Sequence, residues 1–191
     1  MSPFEFFFSF YGLLLSLSVA VVLVGFVKAL KVRGWAGLGL LTPLLGLFIL
    51  FDIASFWAWA WSSFRDVPFS YGLLIFGMAV ALTYFAAASF VWPEEEETWD
   101  SLERHYQTRK RFVFGGVILS NTIMYLWSSV LPGHVLQPQY MLVNFFYVFL
   151  VVTLLIAAFV RNRWINALCL IGNIALYVWT AAITIRLPTP V

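Results

Sequence analysis

The sequence predicts an all-α membrane protein: a six-transmembrane-helix bundle with a short amphipathic inner-surface helix between spans 3 and 4. Three observations carry that expectation. The 191 residues are 62% hydrophobic and only 10% charged, whereas a soluble domain is nearer ~45–50% apolar and ~25% charged. A soluble fold of this composition would lack the polar groups to cover its surface, while lipid can serve as solvent for apolar outer faces. Next, the apolar residues fall into six runs near 4–28, 36–61, 70–92, 112–132, 138–160 and 163–186, and roughly 20 residues cross a hydrocarbon core. Finally, nine of the eleven Lys and Arg residues lie on the first, third and fifth connections. The whole chain, 1–191, thus reads as a single integral membrane domain.

The first run carries its first charge at Glu5 and is followed by Lys28, Lys31 and Arg33. It lacks the basic start of a secretory signal and is too long for one. The second run contains Pro43 and Gly46, then Asp52 among Phe48, Ile49, Phe51, Ile53 and Phe56. A proline inside a helix frees a carbonyl and can kink it, so a bend ahead of Asp52 is expected. The third run begins Tyr71-Gly72-Leu73-Leu74, echoing Tyr11-Gly12-Leu13-Leu14 in the first. Small residues recur every fourth position at Ala79, Thr83 and Ala87 on the third run, and at Gly116 and Ser120 on the fourth. That spacing lets helix backbones approach closely in lipid.

Between the third and fourth runs the character of the chain changes. Residues 92–112 hold six of the nine acids and four of the eleven bases. Pro93 suits the first turn of a helix. Glu94, Glu95, Glu96 and Glu97 would then lie at its positive end, and Arg109, Lys110 and Arg111 at its negative end. Trp99, Leu102 and Tyr106 give it one narrow apolar face. A surface helix over 93–111 is expected, its acids projecting into water and its bases within reach of lipid phosphates. The seven charged residues Glu94–Glu97 and Arg109–Arg111 form a candidate docking surface for a cytoplasmic protein.

The positive-inside rule puts the odd connections in the cytoplasm and both termini outside. The expected location is a membrane crossed several times, in the style of a small bacterial inner-membrane protein. Three spans per half raise the possibility of inverted halves, although no convincing sequence match joins them. The bilayer is the expected partner, with a second copy or a cytoplasmic protein as further partners. A net charge of +2 offers nothing to nucleic acid.

Charged groups within a span are costly and are functional candidates by default. Asp52 is the strongest, with Glu5 read as an anchor at the outer end of the first span. Asn121 and Asn173 lie near the middles of their runs, with Tyr125 and Tyr177 close by and Asn144 in the outer third of the fifth. On the sixth run Asn166, Cys169, Asn173, Tyr177, Thr180 and Thr184 follow three- and four-residue steps, one stripe expected to face the interior. Asp52, Asn121, Asn173, Tyr125 and Tyr177 make a candidate ligand- or ion-binding site; the plainer reading is hydrogen bonding between helices.

The functional expectation is a transporter or channel-like protein with a polar intramembrane site around Asp52. The alternative is a non-enzymatic membrane subunit or sensor that docks a partner through 93–111. No catalytic residues and no metal ligands are assigned, and the sequence names no cofactor. His105 and His134 are too far apart for helical zinc ligation, and no nucleophile elbow or phosphate loop is present. With no paired acid and base, an enzyme is the weakest of the three readings.

Overall fold

A computed structural model describes residues 2–65, 67–94, 102–130 and 140–186. Six α-helices follow one another: α1 (Pro3–Gly37), α2 (Leu41–Ser63), α3 (Tyr71–Ser89), α4 (Leu102–Tyr125), α5 (Met141–Phe159) and α6 (Arg163–Arg186). A π-helical turn, Leu126–Val130, continues α4. Among the described residues there is no strand. α1, α2, α3, α5 and α6 are long and apolar enough to cross a membrane.

α4 differs because its first turns are charged. Counting back from Tyr125, any window long enough to span takes in Arg109, Lys110 and Arg111. The predicted sixth crossing therefore rests on its apolar portion and the π-helical turn. The segment before it corrects the expected surface helix. Pro93 and Glu94 are not helical, and Glu95, Glu96 and Glu97 lie outside the described residues. Leu102 to Arg111 is no separate helix but the start of α4 itself.

Local chemistry sets the ends of the elements. α1 opens with a capping box: Glu5 N–H donates to Ser2 Oγ at 3.1 Å, and Ser2 N–H donates to Glu5 Oε2 at 2.6 Å. Two orphan amides are thereby satisfied, and Glu5 is a helix-capping group. α1 runs past Lys28 and Lys31 to a kink at Gly34 (φ 65°), and Gly39 (φ 66°) completes the turn into α2. Both φ values lie in the left-handed region, which glycine enters without a Cβ penalty. The second predicted run consequently starts later, at Leu41. Pro43 then falls in the first turn of α2, where its missing N–H has no intrahelical partner to lose. It helps to start the helix instead of kinking it. Asn162 Oδ1 accepts from Trp164 N–H at 2.9 Å and opens α6.

The helices pack as a closed ring in the order α1, α3, α4, α5, α6, α2, with α2 also touching α4 across it. Bonds between remote residues bring the late part of α1 to the end of α3, the starts of α2 and α4 together, and the end of α4 to the start of α5. Lys28 Nζ donates to the Glu94 carbonyl, Thr42 Oγ1 to the Leu102 carbonyl, and Tyr125 OH to Asn144 Oδ1. The α2–α4 contact divides the ring into two quadrilaterals. The one bounded by α1, α2, α3 and α4 holds large buried side chains, Phe7, Tyr11, Phe48, Tyr84 and Phe114 among others, all 1% exposed or less, and an apolar cavity of about 470 Å³ lies between α1, α2 and Trp92. The stripes of small residues meet inside it: a Cβ on Gly116 would lie 2.7 Å from Ala87 Cβ. The echoed tetrapeptides do not occupy equivalent places, since Tyr11 is 1% exposed and Tyr71 77% exposed.

Candidate functional site

The second quadrilateral, between α2, α4, α5 and α6, is not filled. A cavity of about 290 Å³ lies in it, in the half of the bundle nearer the C-terminal ends of α2, α4 and α6. Six aromatic side chains stand in its walls: Phe56 and Trp59 from α2, Tyr125 from α4, Phe146 and Tyr147 from α5, Tyr177 from α6. Tyr125 and Tyr147 stack face to face, centroids 4.0 Å apart and planes 3° off parallel. Asn121 and Asn173 also line it.

Asp52 lies behind that wall. Its side chain is 0% exposed and it does not itself line the cavity. Three other helices donate to it. Tyr84 of α3 donates to Oδ2 and Tyr177 of α6 to Oδ1. Asn121 Nδ2 of α4 lies 3.1 Å from Oδ2 and 3.4 Å from Oδ1. A buried carboxylate needs such donors, because an uncompensated charge in a dry interior is very costly. Among the described residues, three donors and no acceptor on the two oxygens suit an acceptor-only, ionised group. The same bonds tie α2 to α3, α4 and α6 at one point.

Of the five residues grouped from the sequence, Asp52, Asn121 and Tyr177 are joined directly. Asn173 stands on the same cavity but donates elsewhere, to Thr153 Oγ1 at 2.7 Å and the Cys169 carbonyl at 2.8 Å. Tyr125 is bonded to Asn144. The α6 stripe faces inward through Asn166 and Asn173, 0% and 3% exposed, whereas Thr180 and Thr184 are exposed and bond carbonyls of their own helix. Tyr84 was missed. The available signal was its place on a buried face with Gly77, Val80, Ala81 and Ala88, which puts a phenolic tip in the core.

The charged segment divides. Arg109 and Arg111 are exposed, their guanidinium groups over the rings of Phe90 and Phe159. Lys110 is not on the surface, as expected of it, but 2% exposed. Its Nζ donates to the Val160 carbonyl at 2.5 Å and to Asn166 Oδ1 at 3.3 Å. It turns inward because Leu102, Tyr106 and Lys110, at four-residue steps, make the buried face of α4. Carbonyls at the C-terminal end of α5 offer it a negative partner. Burial, with Arg111 and Arg161 nearby, pulls its pKa below the ordinary lysine value.

Among the described residues, no group of three or more His, Cys, Asp or Glu side chains could hold a metal ion. No family model, curated protein or solved structure matches this chain.

Proposed function

We propose that this chain is a small membrane transporter, in which the cavity between α2, α4, α5 and α6 holds the transported species and Asp52 is the ionisable group that responds to it. The bilayer is its immediate partner. α4 supplies the sixth crossing: the 19 residues from Phe112 to Val130 reach ~28 Å at about 1.5 Å per residue. Long apolar side chains exposed along the helices, among them Leu13, Val24, Leu82, Leu119, Val148 and Leu168, suit a lipid surround far better than water. An even number of crossings leaves both termini on the side away from the Lys- and Arg-rich connections.

The observation that carries the reading is the convergence of Tyr84, Tyr177 and Asn121 on Asp52. Protonating the carboxylate, or drawing its charge toward a cation, weakens bonds from three helices together. Rearrangement of α2 against α3, α4 and α6 thus becomes linked to occupancy of the cavity beside it, as transport by alternating access needs. The docking alternative is weaker, because Lys110 leaves the proposed surface for the interior.

The test is proton flux into vesicles that hold the purified full chain and a pH-sensitive dye, driven by a potassium diffusion potential. The wild type should acidify the interior faster than empty vesicles do, and Asp52→Asn should slow that by about tenfold or more. Clearly measurable flux that is unchanged in Asp52→Asn would remove Asp52 from the mechanism.

A further inference from the structure

The hydroxyl and carboxamide groups of the cavity wall point their hydrogens into the protein. Asn121 Nδ2 donates to Asp52 and to the Val117 carbonyl at 3.0 Å. Asn173 Nδ2 donates to Thr153 Oγ1 and the Cys169 carbonyl. Chemistry settles both amide orientations: the Asn121 neighbours are acceptors, and Thr153 Oγ1 gives its own hydrogen to the Phe149 carbonyl at 2.7 Å. Neither Asn121 Oδ1 nor Asn173 Oδ1 has a donor among the described residues. Tyr177 OH donates to Asp52, Tyr125 OH to Asn144 Oδ1, and Ser55 Oγ to the Asp52 carbonyl at 2.7 Å. Thr122 Oγ1 donates to the Ile118 carbonyl, which leaves Tyr147 OH to donate to Thr122 at 3.0 Å. Ser128 Oγ and Thr180 Oγ1 donate to the Tyr125 and Leu176 carbonyls at 3.4 and 2.9 Å. Among the described residues, apart from the Trp59 indole, the polar wall thus offers a ligand lone pairs and no hydrogens.

Among the described residues, no Lys, Arg or His lines the cavity. Behind its wall stands a carboxylate whose hydrogen-bond partners are all neutral. Six aromatic rings line the cavity, Tyr125 and Tyr147 each giving one face to the other, and a ring face turned to a ligand attracts cations. Lone pairs, a backing negative charge and aromatic faces all select the same chemistry.

We propose that the cavity binds a small organic cation bearing N–H donors, a protonated aralkylamine, with its ammonium toward Asn121 Oδ1, Asn173 Oδ1 and Tyr177 and its apolar part against Trp59, Phe146 and Tyr147. This rests on the reading of the cavity as the transport site and names its substrate class. Asp52 attracts the ammonium from behind Tyr177 and Asn121. A neutral ligand without N–H or O–H would leave the carbonyl oxygens without donors, a neutral donor would gain nothing from the backing charge, and an anion would face lone pairs and a like charge.

The test is saturable binding of radiolabelled 2-phenylethylamine to the purified full chain in nanodiscs, with empty nanodiscs subtracted. Propylbenzene, of the same shape without charge, and 3-phenylpropionate, an anion, serve as competitors. The amine should bind saturably and resist displacement by both. Asp52→Asn should weaken it by about tenfold or more. Asn173→Leu, which leaves the bonds to Asp52 in place, should weaken it by about threefold or more without loosening propylbenzene. Should Asp52→Asn fail to fold, judged by its helical circular dichroism, Asn173→Leu decides. Displacement by propylbenzene or 3-phenylpropionate as readily as by unlabelled amine, or folded variants that bind the amine as the wild type does, would overturn the cation class and leave the cavity reading standing. Saturable binding of none of the three compounds would overturn both.

Discussion

Asp52 was conspicuous in the sequence because a carboxylate amid phenylalanines and isoleucines must be compensated by something. What compensates it was half readable. Asn121 and Tyr177 carry groups that lipid would reject, so their turn inward followed from the same physics. Tyr84 did not announce itself, since a tyrosine is at home in apolar packing and one run does not reveal which face meets the acid. Asn173 shares the inward stripe of α6 with Tyr177, yet it gives its hydrogen to Thr153 and not to Asp52. His105 shows a different kind of local control. Its Nε2 lies 3.1 Å from the Phe90 carbonyl; burial, together with Arg109, holds its pKa below the ordinary histidine value, partly offset by that bond. The unfolded chain therefore takes up this proton at higher pH than the folded chain. The stability associated with a neutral His105 is full above the unfolded value of about pH 6.5 and is lost as pH falls from there through the lower folded-state value. Thermal unfolding in detergent should show this loss between about pH 7.5 and 5.5, and His105→Gln should flatten it. An equal slope in the variant would assign the pH dependence to other groups.

At the scale of elements, apolar run length located all six helices, and glycine and proline chemistry set where α2 begins. The four-residue spacing of small side chains on the third and fourth runs anticipated a close approach, and Gly116 meets Ala87 there. Gly116→Ala should destabilise the protein by ~1–3 kcal/mol, because both atoms in conflict are Cβ atoms that only a backbone shift can separate. Ala87→Gly in the same chain should restore much of that loss, a coupling visible in a double-mutant cycle. Additive losses would mean that α3 and α4 adjust independently. The charged segment was the hardest to read. Its acids and bases have an order that suits a surface helix, but the face repeating at Leu102, Tyr106 and Lys110 also suits burial. The sequence alone does not reveal that the Val160 carbonyl and Asn166 wait for a lysine at that point.

For the whole molecule, composition pointed to an apolar helical bundle and the structure is one. The arrangement of the helices was beyond reach of the sequence. Adjacency in the ring, α1 beside α3 and α2 beside α6, depends on packing between distant segments, and nothing in the runs announced that a cavity walled by aromatic and polar side chains would open between α2, α4, α5 and α6. The number of crossings is testable through parity. In a Cys169→Ser background, Glu94→Cys should react with a membrane-impermeant thiol reagent from the cytoplasmic side, and Ser2→Cys and a cysteine after Val191 from the opposite side. Termini labelled from opposite sides would mean five crossings, with α4 not spanning.

The central claim is that Asp52 exchanges a proton or yields its charge to a ligand, beyond tying helices together. Infrared difference spectroscopy of the purified full chain addresses it directly, because a protonated carboxyl group in a dry interior has its own carbonyl stretching band. As pH is lowered across the range in which the protein stays folded, a protonated-carboxyl band should grow in the wild type and be missing in Asp52→Asn, and 2-phenylethylamine should suppress it. A wild-type spectrum with no band dependent on Asp52 at any such pH, with or without the amine, would make this carboxylate a fixed structural tie and contradict its role in transport.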